Sequence, residues 1–102
     1  MAQNERDRYP LHHAVRINDE RLMYDAFFEL NADVNGKNQD GDTPLHLAIR
    51  LGDDHIERAR QLLLLGANPM IRNRNGQTAV ELAESERSVL HFPDHINNPE
   101  EE

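Results

Sequence analysis

The sequence predicts an all-α fold in which helix–turn–helix units stack into a solenoid and are joined by hairpin-like loops. The first observation is a six-residue pattern that occurs three times, at residues 9–14, 43–48 and 78–83, with spacings of 34 and 35 residues. The second is that turn-forming pairs, Asp40-Gly41 and Asn75-Gly76, stand just before the second and third copies. A fixed period of this length is typical of repeat proteins, whose units bury their apolar faces against their neighbours.

The first helix of each unit is predicted from its starting residues and its apolar stripe. In the middle copy the Thr43 hydroxyl can cap a helix, and Pro44 suits the first helical position. Gly52 can take the positive φ that ends the helix. The stripe at i, i+3 and i+4 consists of Leu45, Ala48 and Ile49 in this copy and of Leu11, Ala14 and Val15 in the first.

A second helix is predicted over residues 54–65 of the middle unit. Asp53 and Asp54 stand near its N-terminus, where negative charge is favourable, and Gly66 closes it. Residues 68–77 then form an extended, turn-rich connection to the next unit. The residues expected on the buried face are Ile56, Ala59, Leu62 and Leu63 in this helix and Leu22, Ala26, Phe27 and Leu30 in its counterpart in the first unit.

Composition argues against several functional classes. The 102 residues suit one small domain, and the formal net charge of −8 argues against nucleic-acid or membrane-surface partners, which attract basic patches. The absence of cysteine excludes disulfides and thiolate zinc sites. Residues 1–10 contain no apolar run that could form a signal-peptide core, and residues 62–65 form too short a run for a membrane span. We therefore expect a soluble, cytoplasmic protein.

The sequence offers no candidate active site, metal site or cofactor site. It contains neither a phosphate-cradling glycine loop nor a G-x-S-x-G turn, and Ser85 and Ser88 have no plausible His–Asp pair beside them. His91 and His95 have a spacing that suits metal binding on a helix, but Pro93 between them would break that helix. We expect no catalytic residue, no bound metal and no cofactor.

The repeated motif resembles that of the ankyrin-repeat family, whose period is 33 residues and whose motif is T-P-L-H-x-A. Residues 43–48 carry the full motif as TPLHLA, and the resemblance extends over residues 5–92. It implies repeats at about 5–38, 39–72 and 73–92, the last truncated and capping, with an N-terminal extension at 1–4 and an acidic tail at 93–102.

The outer units depart from the family motif. Tyr9 stands in place of the capping threonine in the first unit, and in the third unit Ala79 and Glu81 replace the proline and the histidine. Such departures are expected, because each outer unit has one face in water. The resemblance implies that the motif histidines, His12 and His46, are structural and hydrogen-bond across the turn that begins their helix.

The resemblance also implies a non-enzymatic module that binds a protein partner through a concave surface of hairpin tips and first helices. The family's variable contact positions correspond to Lys37, Gln39, Asp40 and Asp42 in the first hairpin and to Arg72, Arg74, Asn75 and Gln77 in the second. Along the first helices they correspond to Arg16, Ile17, Arg50, Leu51, Ser85 and Glu86.

Two features favour an interface at these positions. Arg72 and Arg74 bring positive charge to a hairpin tip, with no acidic residue between 68 and 77. Ile17 and Leu51 are apolar at equivalent positions of two first helices. An apolar strip rimmed by arginines is typical of protein interfaces.

Three other functions remain open. The net charge of −8 suits a small acidic antitoxin, immunity or inhibitor protein that neutralises a basic effector, because complementary charge speeds association. The chain could also be an enzyme, although no constellation of residues favours that. Finally, a monomer could associate weakly with itself through an uncovered end of the stack.

Overall fold

The helices form two layers in a stacked array. A computed structural model describes residues 5–85, which contain six α-helices and one 3₁₀ turn and no strand. The helices are α1 (Glu5–Arg8), α2 (Pro10–Arg16), α3 (Glu20–Phe28), α4 (Pro44–Leu51), α5 (Ile56–Leu64) and α6 (Ala79–Ser85), and the 3₁₀ turn is Asp53–His55. None of these helices has the length and apolar character needed to cross a bilayer.

The first helices α2, α4 and α6 form one layer, in which α4 packs between the other two. Helix α3 packs on α2 and helix α5 on α4, so each pair is one unit of the predicted solenoid. The predicted stripes of α2 and α4 are buried, and each of the three first helices places a buried alanine in the layer: Ala14, Ala48 and Ala83. These small side chains allow the helices to approach closely.

The second helix of the first unit differs from the prediction. Met23 and Ala26 are its fully buried residues, and Leu22 and Phe27 are half-buried. The expectation that Leu30 is buried is wrong, because Leu30 is 63% exposed. Helix α3 ends at Phe28, so Leu30 lies beyond the helical periodicity on which the prediction rests. In α5 the prediction holds, with Ala59 and Leu62 buried and Ile56 and Leu63 half-buried.

The cap predicted at Thr43 forms in the second unit, and the third unit has a cap of the same kind. The Thr43 hydroxyl accepts from His46 N–H at 3.2 Å, and His46 Nδ1 accepts from Thr43 N–H at 3.2 Å. In the third unit Thr78 and Glu81 make the same reciprocal pair, with both distances 3.1 Å. Glu81 therefore replaces the motif histidine in the cap, as the acidic residue of a capping box. Tyr9 makes no side-chain capping bond in the first unit.

Two hairpin-like loops connect the units and share one hydrogen-bonding scheme. Asn38 N–H donates to the Asp42 carbonyl, and Asn73 N–H donates to the Gln77 carbonyl, both at 2.9 Å. Gly41 lies inside the first hairpin with φ +81°. A Cβ there would lie 2.7 Å from the Cβ of Arg74, so glycine is required both by the backbone conformation and by the approach of the neighbouring tip.

Candidate functional site

The motif histidines link each unit to the hairpin that follows it. His12 Nε2 lies 2.8 Å from the Asp42 carbonyl oxygen, and His46 Nε2 lies 2.9 Å from the Gln77 carbonyl oxygen. A carbonyl only accepts, so Nε2 carries the proton in both rings. Both histidines are therefore structural, as expected, but the expected bond across the turn that begins the helix is made by His46, whereas His12 bonds to the following hairpin.

Both rings are held in the neutral form. Burial lowers the pKa of His12 and of His46 below the usual value of 6.5, more strongly than the carbonyl hydrogen bonds raise it. A neutral ring leaves Nδ1 of His46 free to accept from Thr43 N–H, and the Thr43 hydroxyl oxygen lies 2.8 Å from the same nitrogen. The histidines therefore position the hairpins and are not poised for proton transfer with a ligand.

Asp42 is the centre of a polar network beneath the first hairpin. Its carboxylate accepts from Arg50 Nη2 at 2.9 Å and from Asn73 Nδ2 at 3.3 Å, and its carbonyl accepts from His12. Asp42 is only 6% exposed. Asp42 was predicted as a contact position, and the structure shows that its largely buried side chain also fixes the positions of Arg50 and of the second hairpin.

The first helices and the hairpin tips enclose a shallow depression, called here the concave groove, with a volume of about 320 Å³. Six of its seven lining residues are among the predicted contact positions: Arg16, Asp40, Asp42, Arg50, Leu51 and Asn75. Leu47, the seventh, adds to its apolar floor. Asp40 and Asn75 are exposed at the two tips, and Leu51 is half-buried. The structure thus brings together residues of both hairpins and of two first helices, α2 and α4.

The two arginines in the groove are held by acidic neighbours. Arg16 donates from Nε and Nη2 to the two carboxylate oxygens of Glu5, at 2.7 and 2.9 Å. These bonds keep the pKa of Glu5 below its usual 4.5. Arg16 and Arg50 stand 34 residues apart at equivalent positions, and both remain exposed despite their ion pairs. The groove therefore presents two pre-oriented guanidinium groups.

The two hairpin arginines have intramolecular partners that the sequence did not indicate. Arg74 Nη2 donates to the Gln39 carbonyl at 2.6 Å, which ties the second tip to the first. Arg72 Nη1 donates to the Gly76 carbonyl at 2.7 Å and lies 3.4 Å from the Glu81 carboxylate. Both arginines are exposed, but part of their role is to fix the second hairpin.

The remaining predicted contact residues lie outside the groove. Ile17 is 50% exposed at the end of α2, and Gln77 is half-buried beside His46. Gln39 and Lys37 are exposed, and Lys37 lines a separate depression of about 490 Å³ at the N-terminal end of the stack. Ser85 is exposed at the end of α6, whereas Glu86 lies outside the described residues.

Two buried asparagines shape the hairpin tips, and this role was not predicted from the sequence. Asn38 Oδ1 accepts from the N–H groups of Asp40 and Asp42, and Asn73 Oδ1 accepts from those of Asn75 and Gln77. Such Asx turns are a common use of asparagine in tight loops. The repetition of asparagine three residues before each hairpin glycine is the feature that could have identified them.

Residues 5–85 contain no group of three His, Cys, Asp or Glu side chains arranged to hold a metal ion. His91 and His95, the pair considered from the sequence, lie outside these residues.

Comparisons with known proteins identify the fold. Residues 1–73 match the family described as ankyrin repeats in three copies. Ankyrin repeat domain-containing protein 13B, from both Homo sapiens and Mus musculus, is 39% identical over 82 residues, which are 80% of this chain and 13% of the relative. The human BCL-6 corepressor-like protein 1 is 37% identical over 76 residues, 74% of this chain and 4% of the relative.

The chain thus spans only a small part of the length of these relatives. Ankyrin repeats are generally protein–protein interaction modules and are typically not enzymes. The stacked two-helix units, the TPLHLA motif and the match over residues 1–73 agree: the chain belongs to the ankyrin-repeat family.

Proposed function

We propose that this chain is a non-enzymatic module that binds a protein partner in the concave groove. The observation that carries the proposal is the convergence of residues from two hairpins and two first helices on one depression of about 320 Å³. The groove offers both apolar side chains and charged groups, and this mixture is typical of protein interfaces.

Preorganisation supports this function. Asn73 joins the second hairpin to Asp42 in the first, and Arg74 joins the two tips through the Gln39 carbonyl. Below the tips, His12 and His46 fasten each hairpin to the preceding unit. Because these contacts already order the tips, a partner that binds there loses less conformational entropy on association.

The chemistry of the groove favours a partner segment with an apolar side chain beside a hydrogen-bond acceptor. The half-buried Leu51 provides an apolar contact above the buried Leu47, and Arg16 and Arg50 are exposed on the same surface. Each guanidinium has five N–H donors and uses only some of them in its ion pair, so further donors remain for a carboxylate or carbonyl of the partner.

The test is quantitative capture of proteins from cells that express this chain, with three immobilised forms of the purified chain. They are the wild type, the double variant Asp40→Lys/Asn75→Trp, which alters charge and fills the groove, and the control Glu57→Lys. Glu57 is exposed on α5, and its pair with Arg60 is a surface ion pair of little energetic weight.

A protein that binds in the groove is recovered equally with the wild type and the control. The amount recovered with the double variant is at least about tenfold lower, which corresponds to a loss of roughly 1.4 kcal/mol in binding free energy. Circular dichroism verifies that all three forms are folded. If every captured protein is recovered equally by the three forms, the groove is not the binding surface.

A second candidate function is neutralisation of a basic effector, which is motivated by the net charge of −8. Electrostatic attraction would make association with such a partner steeply dependent on salt. An association rate that is unchanged between low and high salt would contradict this candidate and leave the general interaction module.

A further inference from the structure

An exposed aromatic cluster lies on α3, in the layer of second helices rather than in the concave groove. Tyr24, Phe27 and Phe28 occupy positions i, i+3 and i+4, and they are three of the five aromatic residues in the chain. The rings of Tyr24 and Phe28 are stacked with centroids 6.2 Å apart, and those of Phe27 and Phe28 meet edge to face at 4.9 Å. Phe28 is 61% exposed.

The core accounts for Tyr24, which packs against it, but not for the exposed Phe28. Met23 and Ala26 are the fully buried residues of α3, whereas Tyr24 and Phe27 are only half-buried. An aromatic ring left in water forgoes the transfer free energy that burial would provide. Isolated exposed apolar residues are ordinary, but three contacting rings on one helix form a patch, and such patches mark interaction surfaces.

The second helix of the next unit also ends in an exposed apolar residue. Helices α3 and α5 each contain nine residues, and their last residues, Phe28 and Leu64, are both exposed, Leu64 by 84%. The two helices are neighbours, since Gln61 Nε2 donates to Glu20 Oε2 at 3.0 Å. Leu64 is therefore a second exposed apolar residue in the layer of second helices.

Two carboxylates without an ion-pair partner among residues 5–85 lie beside the cluster. Residues 19–29 contain four acidic residues and one basic residue, Arg21. Asp25 and Glu29 are exposed, and neither forms an ion pair with any residue from 5 to 85. Glu29 adjoins Phe28 in the chain, and Asp25 lies three residues before it, on the neighbouring turn. The patch therefore carries negative charge at its edge.

We propose that this outer patch, formed by Tyr24, Phe27 and Phe28 with Asp25 and Glu29 at its edge, docks a basic amphipathic segment of a partner protein. A large apolar side chain of that segment covers the Phe28 ring, and lysine or arginine residues one helical turn away reach the two carboxylates. An amphipathic helix with anchors at i, i+3 and i+4 provides this combination.

Charge selects this occupant over the two others that an apolar patch can bind. A second copy of the chain would bring the same carboxylates opposite these, and like charges across an interface are unfavourable. A membrane surface with anionic lipids would repel them for the same reason. A basic segment alone gains from both the aromatic rings and the acidic edge.

The test is a display selection in which random peptides long enough for about four helical turns are selected on the purified chain. Each recovered peptide is then titrated against Phe28→Ser, Asp25→Lys/Glu29→Lys and the groove variant Asp40→Lys. Phe28 is largely exposed, so Phe28→Ser is expected to fold, and the charge-reversal variant removes no apolar contact. Circular dichroism verifies the fold of every variant.

We expect recovered peptides in which lysine or arginine flanks large apolar residues. Their affinity falls at least about tenfold, or roughly 1.4 kcal/mol, for Phe28→Ser and for the charge reversal. It is unchanged for Asp40→Lys, which separates this patch from the groove proposed above. The proposal is overturned if no recovered peptide depends on Phe28, or if the dependent peptides are acidic or uncharged. A dimer that Phe28→Ser dissociates, as measured by light scattering, or binding to anionic vesicles that this substitution abolishes, also overturns it.

Discussion

Replacing His46 by alanine removes the one side chain that both caps α4 and binds the next hairpin. The wild-type ring accepts from Thr43 N–H at 3.2 Å and donates to the Gln77 carbonyl at 2.9 Å. His46→Ala deletes both bonds and leaves a cavity, because the ring is fully buried. His46→Gln is the matched variant, since glutamine at this position of a capping box can still accept from the Thr43 backbone.

The expected losses follow from these contacts. The capping bond contributes roughly 0.5–1.5 kcal/mol, loss of the bond that leaves the Gln77 carbonyl without its partner costs about 1–3 kcal/mol, and the cavity left by the ring adds to this sum. His46→Ala should therefore lower the free energy of unfolding by about 2–5 kcal/mol, a large part of the roughly 5–15 kcal/mol typical of a domain. His46→Gln loses only the link between units, about 1–3 kcal/mol. Glu81→Ala, which removes a cap and an exposed ion pair of little energetic weight with Arg72, should cost about 0.5–2 kcal/mol.

Urea unfolding followed by far-UV circular dichroism measures these differences, since the chain has no tryptophan to report by fluorescence. His46→Ala should lower the free energy of unfolding most. His46→Gln should lower it less, and the loss for Glu81→Ala should be well below that for His46→Ala. If His46→Gln were as stable as the wild type, the bond to the Gln77 carbonyl would contribute nothing. Equal losses for His46→Ala and Glu81→Ala would refute the role of the histidine between units.

Three further predictions concern pH, a hairpin glycine and the core. Because burial lowers the pKa of both motif histidines below 6.5, the unfolded chain binds protons first on acidification. The free energy of unfolding should fall as the pH drops below 6.5. The loss is at most about 1.4 kcal/mol per pH unit for each histidine and ends once the pH is below the pKa of that histidine in the folded chain. A urea midpoint that does not change in this pH range would contradict the prediction. Gly41→Ala should destabilise the chain by at least about 1 kcal/mol more than Gly76→Ala, as both have positive φ but only the Cβ at 41 meets Arg74; equal urea midpoints would contradict this. Leu62→Ala should cost about 2–5 kcal/mol and Leu64→Ala less than about 0.5 kcal/mol, because only Leu62 is buried; thermal unfolding of both distinguishes them.

The helices were predictable where local chemistry decides them. Thr43 and Pro44 specify the start of α4, and Gly52 specifies its end with φ +102°. The exposure of Leu30 was not predictable from the spacing of apolar residues. It depends on where α3 ends, and the chain leaves that helix through Asn31, whose positive φ of 57° replaces the glycine of the equivalent loop.

The candidate site was predictable as a set of positions but not as a set of contacts. Equivalence between repeats placed Arg16 and Arg50 on one surface, because residues that share a position in stacked units share a face. The burial of Asp42 arises instead from Asn73, 31 residues further along, and from the histidine of the preceding unit. The pairing of Arg74 with the neighbouring tip spans 35 residues. No local pattern encodes contacts at these separations.

The central claim is that the concave groove is where a protein partner binds. The most direct measurement is a comparison of backbone amide NMR spectra of the isotope-labelled chain, alone and with the partner recovered by capture. Binding in the groove predicts chemical-shift changes concentrated at the two hairpin tips and along α2 and α4, with the amides of Asp40 and Asn75 among the most perturbed. Tips that stay unperturbed while the partner is fully bound would contradict the account.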